Sequence, residues 1–269
     1  MSQTDNNKSP QTHHRFNLRG VNIDNVSFNE AIERIGQMME NDQKAYMVTP
    51  NVAHVVDLQT DDIFRRAYDR ASLVVADGLP LLWTARWCGQ PLKERVAGSD
   101  LFYHICRLAA EKKKRLFILG GTETINQKAG KKLQLMLPDI KLTFYSPPFG
   151  FEKNLSENDK IIRMIREFET EVLLVCVGTP KSEKWLYQNI DRLSFNMAAS
   201  LGASLEFFLG VKKRSPLWIQ KVGLEWFWRL IHEPRRLWKR YLVGNSKFVC
   251  LAAGEIINAR RRRKQVPRD

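Results

Sequence analysis

The sequence predicts an α/β fold with a mainly parallel sheet, helices on both faces and a helical, basic C-terminal appendage. Short apolar runs alternate along the chain with longer helical patterns. A loop of small, polar or acidic residues follows most of these runs. Alternation of this kind is typical of βα units, in which helices join consecutive parallel strands.

The elements can be assigned in order along the chain. Residues 16–20 and 21–24 predict two short strands around a glycine turn. Ser27 and Glu30 form a capping-box pattern, which begins the first helix. Further strands are predicted at residues 45–48, 72–76, 115–119, 141–145, 171–177 and 197–201. Helices are predicted between them at residues 52–71, 100–112, 124–137, 157–168 and 182–193.

The charge is concentrated at the C-terminus. The 269 residues carry a formal charge of +14, and +12 of it falls in residues 211–269, which hold 16 Lys/Arg and 4 Asp/Glu. Tryptophans are interleaved with these cations, a combination suited to an anionic membrane surface. The predicted organisation is a disordered lead (1–15), a catalytic core (16–210), a membrane-associating helical appendage (211–258) and a basic disordered tail (259–269).

Loops at the carboxyl ends of the predicted strands indicate the ligand site. Thr49 to Asn51, Asp77-Gly78, Gly120-Gly121, Gly178 to Pro180 and Gly202 to Ser204 all follow apolar runs. Ligands of doubly wound sheets bind at these ends, where glycine allows close approach and helix N-termini favour phosphate. An ordinary glycine-rich turn explains any one loop equally well, but the five together favour a nucleotide or another phosphorylated ligand.

Several kinds of site are excluded by missing motifs. The chain has no GxxxxGK[ST], no GxGxxG after a strand and no GxSxG, which argues against a P-loop, a dinucleotide fingerprint and a hydrolase elbow. It has no Asp-x-Asp and no metal-binding histidine spacing, so no metal site is predicted. The four cysteines form no CxxC pair and are expected to be reduced.

Asp77 is the candidate general base. It follows an apolar run and precedes Gly78, so it should emerge at a strand end, where a partly desolvated carboxylate suits proton abstraction. Composition alone favours the alternative that Asp77 caps the next helix, a common position for Asp in a βα loop.

Eight segments together resemble the WecG/TagA/CpsF glycosyltransferases over residues 16–243. They are VTPN (48–51), VADGLP (75–80), PLKERVAGSD (91–100), LGG (119–121), VGTPKSEKW (177–185), KKRSP (212–216), GLEW (223–226) and EPRR (233–236). The resemblance implies a Rossmann-like core and inverting transfer from a UDP-sugar to an undecaprenyl-diphosphate-linked sugar. It also implies a cytoplasmic enzyme peripheral on the inner membrane face, with no metal cofactor.

The resemblance also assigns residues. It implies that Asp77 is the base and that Thr49 and Asn51 line the same pocket. The nucleotide and donor would be held by Arg95, Gly120, Gly121, Gly178, Lys181 and Glu183. The acceptor diphosphate would be held by Arg229, Arg236, Lys239 and Arg240.

Some assignments have alternatives. Arg95 can instead form a structural ion pair with Glu94 or Asp100. Ser182 and the Leu205-Glu206 pair depart from the family pattern, which puts the sugar and nucleotide preference in question. The donor class (N-acetylmannosamine, its uronic acid or glucose), the acceptor glycan, its pathway and homo-oligomer formation stay open.

Two other functions compete with the enzyme. A basic aromatic tail also suits nucleic acid, but the chain carries no RNP, KH or helix-turn-helix signature, so no nucleic-acid partner is predicted. A UDP-sugar-binding scaffold without catalysis is the second alternative, and full transfer by an Asp77→Asn variant would favour it.

Overall fold

The computed structural model describes residues 14–212, 215–216, 219, 225–232 and 244–265. It begins with an antiparallel hairpin of β1 (Arg15–Leu18) and β2 (Val21–Asp24), joined through Arg19 and Gly20. The two predicted strands around a glycine turn are thereby confirmed. Arg15 already belongs to β1, and the rest of the predicted disordered lead, up to residue 13, lies outside the described residues.

A six-stranded parallel sheet forms the centre of the fold. Its strands are β3 (Ala45–Val48), β4 (Leu73–Val74), β5 (Arg115–Gly120), β6 (Lys141–Tyr145), β7 (Val172–Cys176) and β8 (Met197–Ser200). They lie in the order β4-β3-β8-β7-β5-β6, and every neighbouring pair is parallel. Every residue of β7 and β8 is buried, as expected for central strands covered on both faces.

Helices cover both faces of the sheet, which confirms the predicted fold class. The helices of the described part are α1 (Phe28–Glu40), α2 (Val52–Asp57), α3 (Asp62–Asp69), α4 (Leu79–Trp87), α5 (Gly98–Glu111), α6 (Glu123–Met136), α7 (Leu155–Glu167), α8 (Lys181–Asn189), α9 (Ser204–Phe208), α10 (Glu225–His232) and α11 (Gly244–Gln265). One face packs against α1, α5, α6 and α9, and the other against α2, α3, α4, α7, α8 and α11.

Helix capping explains where several helices begin. Ser27 and Glu30 form the predicted capping box at α1, since each side chain accepts from the other residue's backbone N–H. The single helix predicted over residues 52–71 is two helices. Asn51 caps α2, and Asp61 accepts from the N–H of Phe64 to cap α3. The chain turns between the two helices, because the Asp61 carboxylate acts as the N-cap of α3 and so begins a new helix.

The C-terminal helix packs against the core. Phe248 and Ala252 of α11 are buried in the same cluster as residues of α2 and α4. Nε of Arg19 donates to the carbonyl of Leu251 at 3.2 Å, and Nη2 of Arg263 donates to the carbonyl of Cys88 at 2.8 Å. These two hydrogen bonds, together with the buried Phe248 and Ala252, hold the helix against the core.

The predicted disordered tail is in part helical. Residues 259–265 continue α11, because Ala, Arg, Lys and Gln are good helix formers that extend an existing helix. Among the helices of the described ranges, none combines the length and apolar character needed to cross a bilayer.

Candidate active site

A cleft of about 640 Å³ opens at the carboxyl edge of the sheet. It lies where β3 and β8 are neighbours but continue into helices on opposite faces, α2 on one and α9 on the other. Diverging connections of this kind leave a crevice, the usual ligand position in an open α/β sheet. The loops after β3, β4, β7 and β8 all contribute residues to its wall.

Thr49 and Asn51 line the cleft together, as the sequence predicts. Thr49 is buried beneath Gly98, where an added Cβ would lie 3.2 Å from the threonine Oγ1. Oδ1 of Asn51 accepts from the backbone N–H groups of Ala53 and His54 at 3.0 and 3.3 Å. Capping therefore fixes the orientation of the Asn51 amide on the cleft wall.

Asp77 also lines the cleft, on the loop after β4. Its backbone N–H donates to the carbonyl of Pro50 at 2.8 Å, which ties this loop to the loop carrying Thr49 and Asn51. The N-cap residue of α4 is Gly78 rather than Asp77. Asp77 lies on the wall of the cleft immediately before that helix.

Arg95 brings positive charge to Asp77. Its Nη1 lies 4.0 Å from Oδ1 of Asp77, and its Nη2 lies 4.0 Å from Oδ2 of Asp100. Glu94, the other partner considered, accepts from the N–H of Phe28 at 2.7 Å. Arg95 itself lines the cleft. The same side chain can therefore pair with a carboxylate and also contact a ligand.

The predicted nucleotide loops divide into two groups. Gly178 lines the cleft, whereas Gly120 and Gly121 are not part of its wall. Gly120 has φ +130°, and an added Cβ would lie 2.5 Å from the carbonyl oxygen of Cys176. The close approach of two neighbouring strands thus requires this glycine, whatever it contributes to ligand binding.

Lys181 and Glu183 also lie outside the cleft wall. Nζ of Lys181 pairs with Glu152 at 3.1 Å and lies 4.4 Å from the ring centre of Phe149. Glu183 is only 1% exposed, and its Oε1 accepts from Oγ1 of Thr179 at 3.1 Å. Glu183 therefore supports the loop that carries Thr179, which does line the cleft.

The predicted acceptor residues fall largely beyond the described part of the chain. Arg229 belongs to α10, whereas Arg236, Lys239 and Arg240 lie outside the described residues. Their assignment to the acceptor diphosphate stays a prediction.

The structure places the three residues that depart from the family pattern. Ser182 is fully buried on α8. Leu205 packs in the hydrophobic core beside Gly121. Glu206 pairs with Lys212 at 3.2 Å.

Sequence reasoning missed several residues of the cleft wall. Ser200 is 1% exposed, and its Oγ has no hydrogen-bond partner among the described residues. Lys212 adds a second cation to the wall, while Trp83 and Trp87 add a large apolar surface. The signals were present, since Ser200 ends an apolar strand run and the two tryptophans have the i, i+4 spacing of one helix face.

The cysteines and the possible metal-binding side chains of the described residues do not form a cluster. No group of three or more His, Cys, Asp or Glu side chains in those ranges is arranged to hold a metal ion. Cys88, Cys106, Cys176 and Cys250 form no disulfide with one another in the structure. Burial raises the pKa of Cys176 to about 12, which keeps that thiol protonated near neutral pH.

The fold is of the α/β class, with a cleft at the carboxyl ends of its parallel strands. The chain belongs to the glycosyl transferase WecG/TagA/CpsF family, whose sequence profile matches residues 16–263. It is therefore a glycosyltransferase, and the resemblance noted in the sequence is confirmed.

Similar proteins come from Staphylococcus aureus strains MRSA252, MW2 and NCTC 8325. Each is named N-acetylglucosaminyldiphosphoundecaprenol N-acetyl-beta-D-mannosaminyltransferase. Each is 26% identical to this chain over 253 residues, covering 93% of this chain and 95% of the relative.

Proposed function

We propose that the protein transfers N-acetylmannosamine from a UDP-sugar to N-acetylglucosamine carried on undecaprenyl diphosphate, with inversion at the anomeric carbon. The observation that carries the proposal is the meeting of Asp77, Arg95 and Thr49 in one cleft. The printed names of the Staphylococcus aureus relatives supply the sugar and the acceptor.

Asp77 is proposed as the general base. Its carboxylate takes the proton of the acceptor hydroxyl while that oxygen attacks the anomeric carbon of the donor. The new C–O bond forms as the bond between the anomeric carbon and the UDP oxygen breaks, and UDP leaves with that electron pair. A positioned base of this kind contributes about 10²–10⁴-fold to the rate.

Arg95 and Lys212 are proposed to stabilise the departing diphosphate. Both cations line the cleft that holds Asp77, and a guanidinium can bind two phosphate oxygens at once. Asp100, at 4.0 Å from Arg95, orients that guanidinium. We expect transfer without a divalent metal, with Arg95 and Lys212 turning from their carboxylate partners toward the charge that develops on the leaving group.

The protein is proposed to work at the inner face of the cytoplasmic membrane. Phe227 and Ile231 of α10 and Val249 of α11 are exposed large apolar side chains, and residues 260–263 add four exposed arginines. Apolar side chains beside cations favour binding at an anionic lipid surface.

A donor screen tests the proposed function. Purified full-length protein would be incubated with UDP-sugars and a synthetic lipid-diphosphate N-acetylglucosamine, and the product analysed for linkage and anomeric configuration. The proposal predicts transfer from UDP-N-acetylmannosamine with inverted configuration. Binding of the donor without any transfer would instead favour the non-catalytic scaffold.

A further inference from the structure

Part of the cleft wall is apolar. Trp83 and Trp87 of α4 line the cleft together with Val249, Ala253 and Ile256 of α11, a helix that contacts α4. These five residues define what we call the α4–α11 groove. Trp83 is 40% exposed and Trp87 is 58% exposed. Large side chains left in contact with water in a concave site are typical of ligand-binding surfaces.

The helix α11, which carries three of the groove residues, is held against the core and against α4. Phe248 and Ala252, directly beneath the exposed stripe of α11, are buried in the core. Arg263 reaches α4 across Gly89, where its guanidinium lies 0.9 Å from the position an added Cβ would take. Any side chain at position 89 would therefore displace the contact that holds α11 against α4.

Other residues of the same cleft wall are polar or charged. They include Asp77, Thr49, Arg95 and Lys212. A sugar nucleotide is polar throughout and matches these residues rather than the apolar ones. A ligand that contacts both sets must join a charged phosphate group to an apolar chain.

We infer that the α4–α11 groove binds the first isoprene units of the polyprenyl-diphosphate acceptor. This inference rests on the proposed function, because the acceptor supplies both the diphosphate and the apolar chain. Because the groove and the charged residues belong to one cleft, the lipid next to the diphosphate is recognised by protein side chains. Burying isoprene methyl and methylene groups should strengthen binding about fourfold per CH₂ group.

Farnesyl diphosphate is a soluble probe of the groove, and inorganic pyrophosphate is its headgroup control. Binding would be measured by calorimetry on the full-length protein without detergent or vesicles. Val249→Glu places a charge in the groove, and Trp87→Ala shortens its wall. Ile257→Glu is the matched control, because Ile257 is 51% exposed on the same helix and lies outside the cleft wall.

The inference predicts that farnesyl diphosphate binds at least tenfold more tightly than pyrophosphate. Val249→Glu and Trp87→Ala should each weaken farnesyl diphosphate at least tenfold without changing pyrophosphate binding, and Ile257→Glu should change neither. Equal affinity for the two probes would overturn the inference. Equal weakening by Val249→Glu and Ile257→Glu would also overturn it, since the effect would then be one of surface charge.

Transfer assays separate the groove from the proposed function. Wild-type transfer to a farnesyl-linked acceptor, with an unchanged KM in Val249→Glu and Trp87→Ala, would reject the groove and leave the function standing. Failure of wild-type transfer, with farnesyl binding that depends on Val249, would reject the function and leave an isoprenoid site. Both substitutions are made at exposed positions, so the variants should fold. Melting temperatures equal to that of the wild type would show that the fold is intact.

Discussion

Nη1 of Arg95 lies 4.0 Å from Oδ1 of Asp77, the carboxylate that follows β4 in the cleft. The opposite side of the same guanidinium faces Asp100, also at 4.0 Å. At this separation the named atoms interact through their charges rather than by a direct hydrogen bond between them. Arg95 therefore lies on the cleft wall between the carboxylates of Asp77 and Asp100.

Removal of Arg95 tests this arrangement. Arg95→Ala should lower kcat/KM for the donor by about 10- to 100-fold, as expected for loss of a charge-assisted hydrogen bond. Arg95→Lys should recover only part of the loss, because a lysine cannot bind two oxygens in the same plane. Initial rates at varied UDP-sugar give the values, with Arg65→Ala as the control because Arg65 pairs with exposed Asp62. Equal effects of the two alanine variants would contradict a role for Arg95 at the ligand.

Membrane attachment should depend on the cations at the end of α11. Arg261→Gln and Arg262→Gln together keep good helix formers and remove two exposed charges, each worth about 1 kcal/mol near an anionic surface. Partition into anionic vesicles, measured by sedimentation, should fall roughly 30-fold. The control is Lys128→Gln with Lys131→Gln on α6, which are also exposed. A comparable fall with the control pair would indicate attraction by net charge alone.

Low pH should remove the contribution that the Glu30 carboxylate makes to the free energy of unfolding. Hydrogen bonds from Lys93 and from the backbone of Ser27 lower the pKa of Glu30 from 4.5 to about 2. Since the folded-state pKa is depressed, the stabilisation is present above pH 4.5 and is lost as the pH falls toward 2. Urea unfolding should show wild type more stable than Glu30→Gln at pH 7, with the difference shrinking below pH 4.5. A difference independent of pH would contradict this account.

Thiol labelling should single out Cys250. Cys88, Cys106 and Cys176 are buried, and burial raises the pKa of each thiol. Cys250 is exposed on α11, so iodoacetamide at pH 8 should modify it first in the native protein. Mass spectrometry of a time course would follow the four sites, with urea-unfolded protein as the control. Rapid modification of Cys106 in native protein would show that the core opens far more readily than its packing indicates.

Local patterns predicted the strands and most of the longer helices, because these elements carry their own signals in the sequence. The capping box at Ser27, the apolar strand runs and the loops after them depend on neighbours in sequence. The division of residues 52–71 into two helices depended on Asp61 capping α3, which periodicity does not reveal. The helical end of α11 was missed because the charge of an arginine run indicates disorder. Arginine is also a good helix former, and here the run extends the preceding helix.

The site was predicted less completely than the fold, because a local sequence pattern does not show which residues of different strands and loops lie close together. Thr49, Asn51, Asp77 and Arg95 all line one cleft. Glu183, which the resemblance assigns to the nucleotide, is buried and bonded to Thr179, because a loop motif does not show which of its side chains point inward. Trp87 was missed because only the packing of α11 beside α4 makes it part of a cleft.

The most direct test of the account is the turnover of Asp77→Asn. Both substrates, UDP-N-acetylmannosamine and lipid-diphosphate N-acetylglucosamine, would be saturating, and Asp62→Asn would be the control because Asp62 is 82% exposed on α3. The account predicts a fall in kcat of about 10²–10⁴-fold for Asp77→Asn, with little change for Asp62→Asn. Turnover of a folded Asp77→Asn variant within a few-fold of wild type would contradict Asp77 as the base.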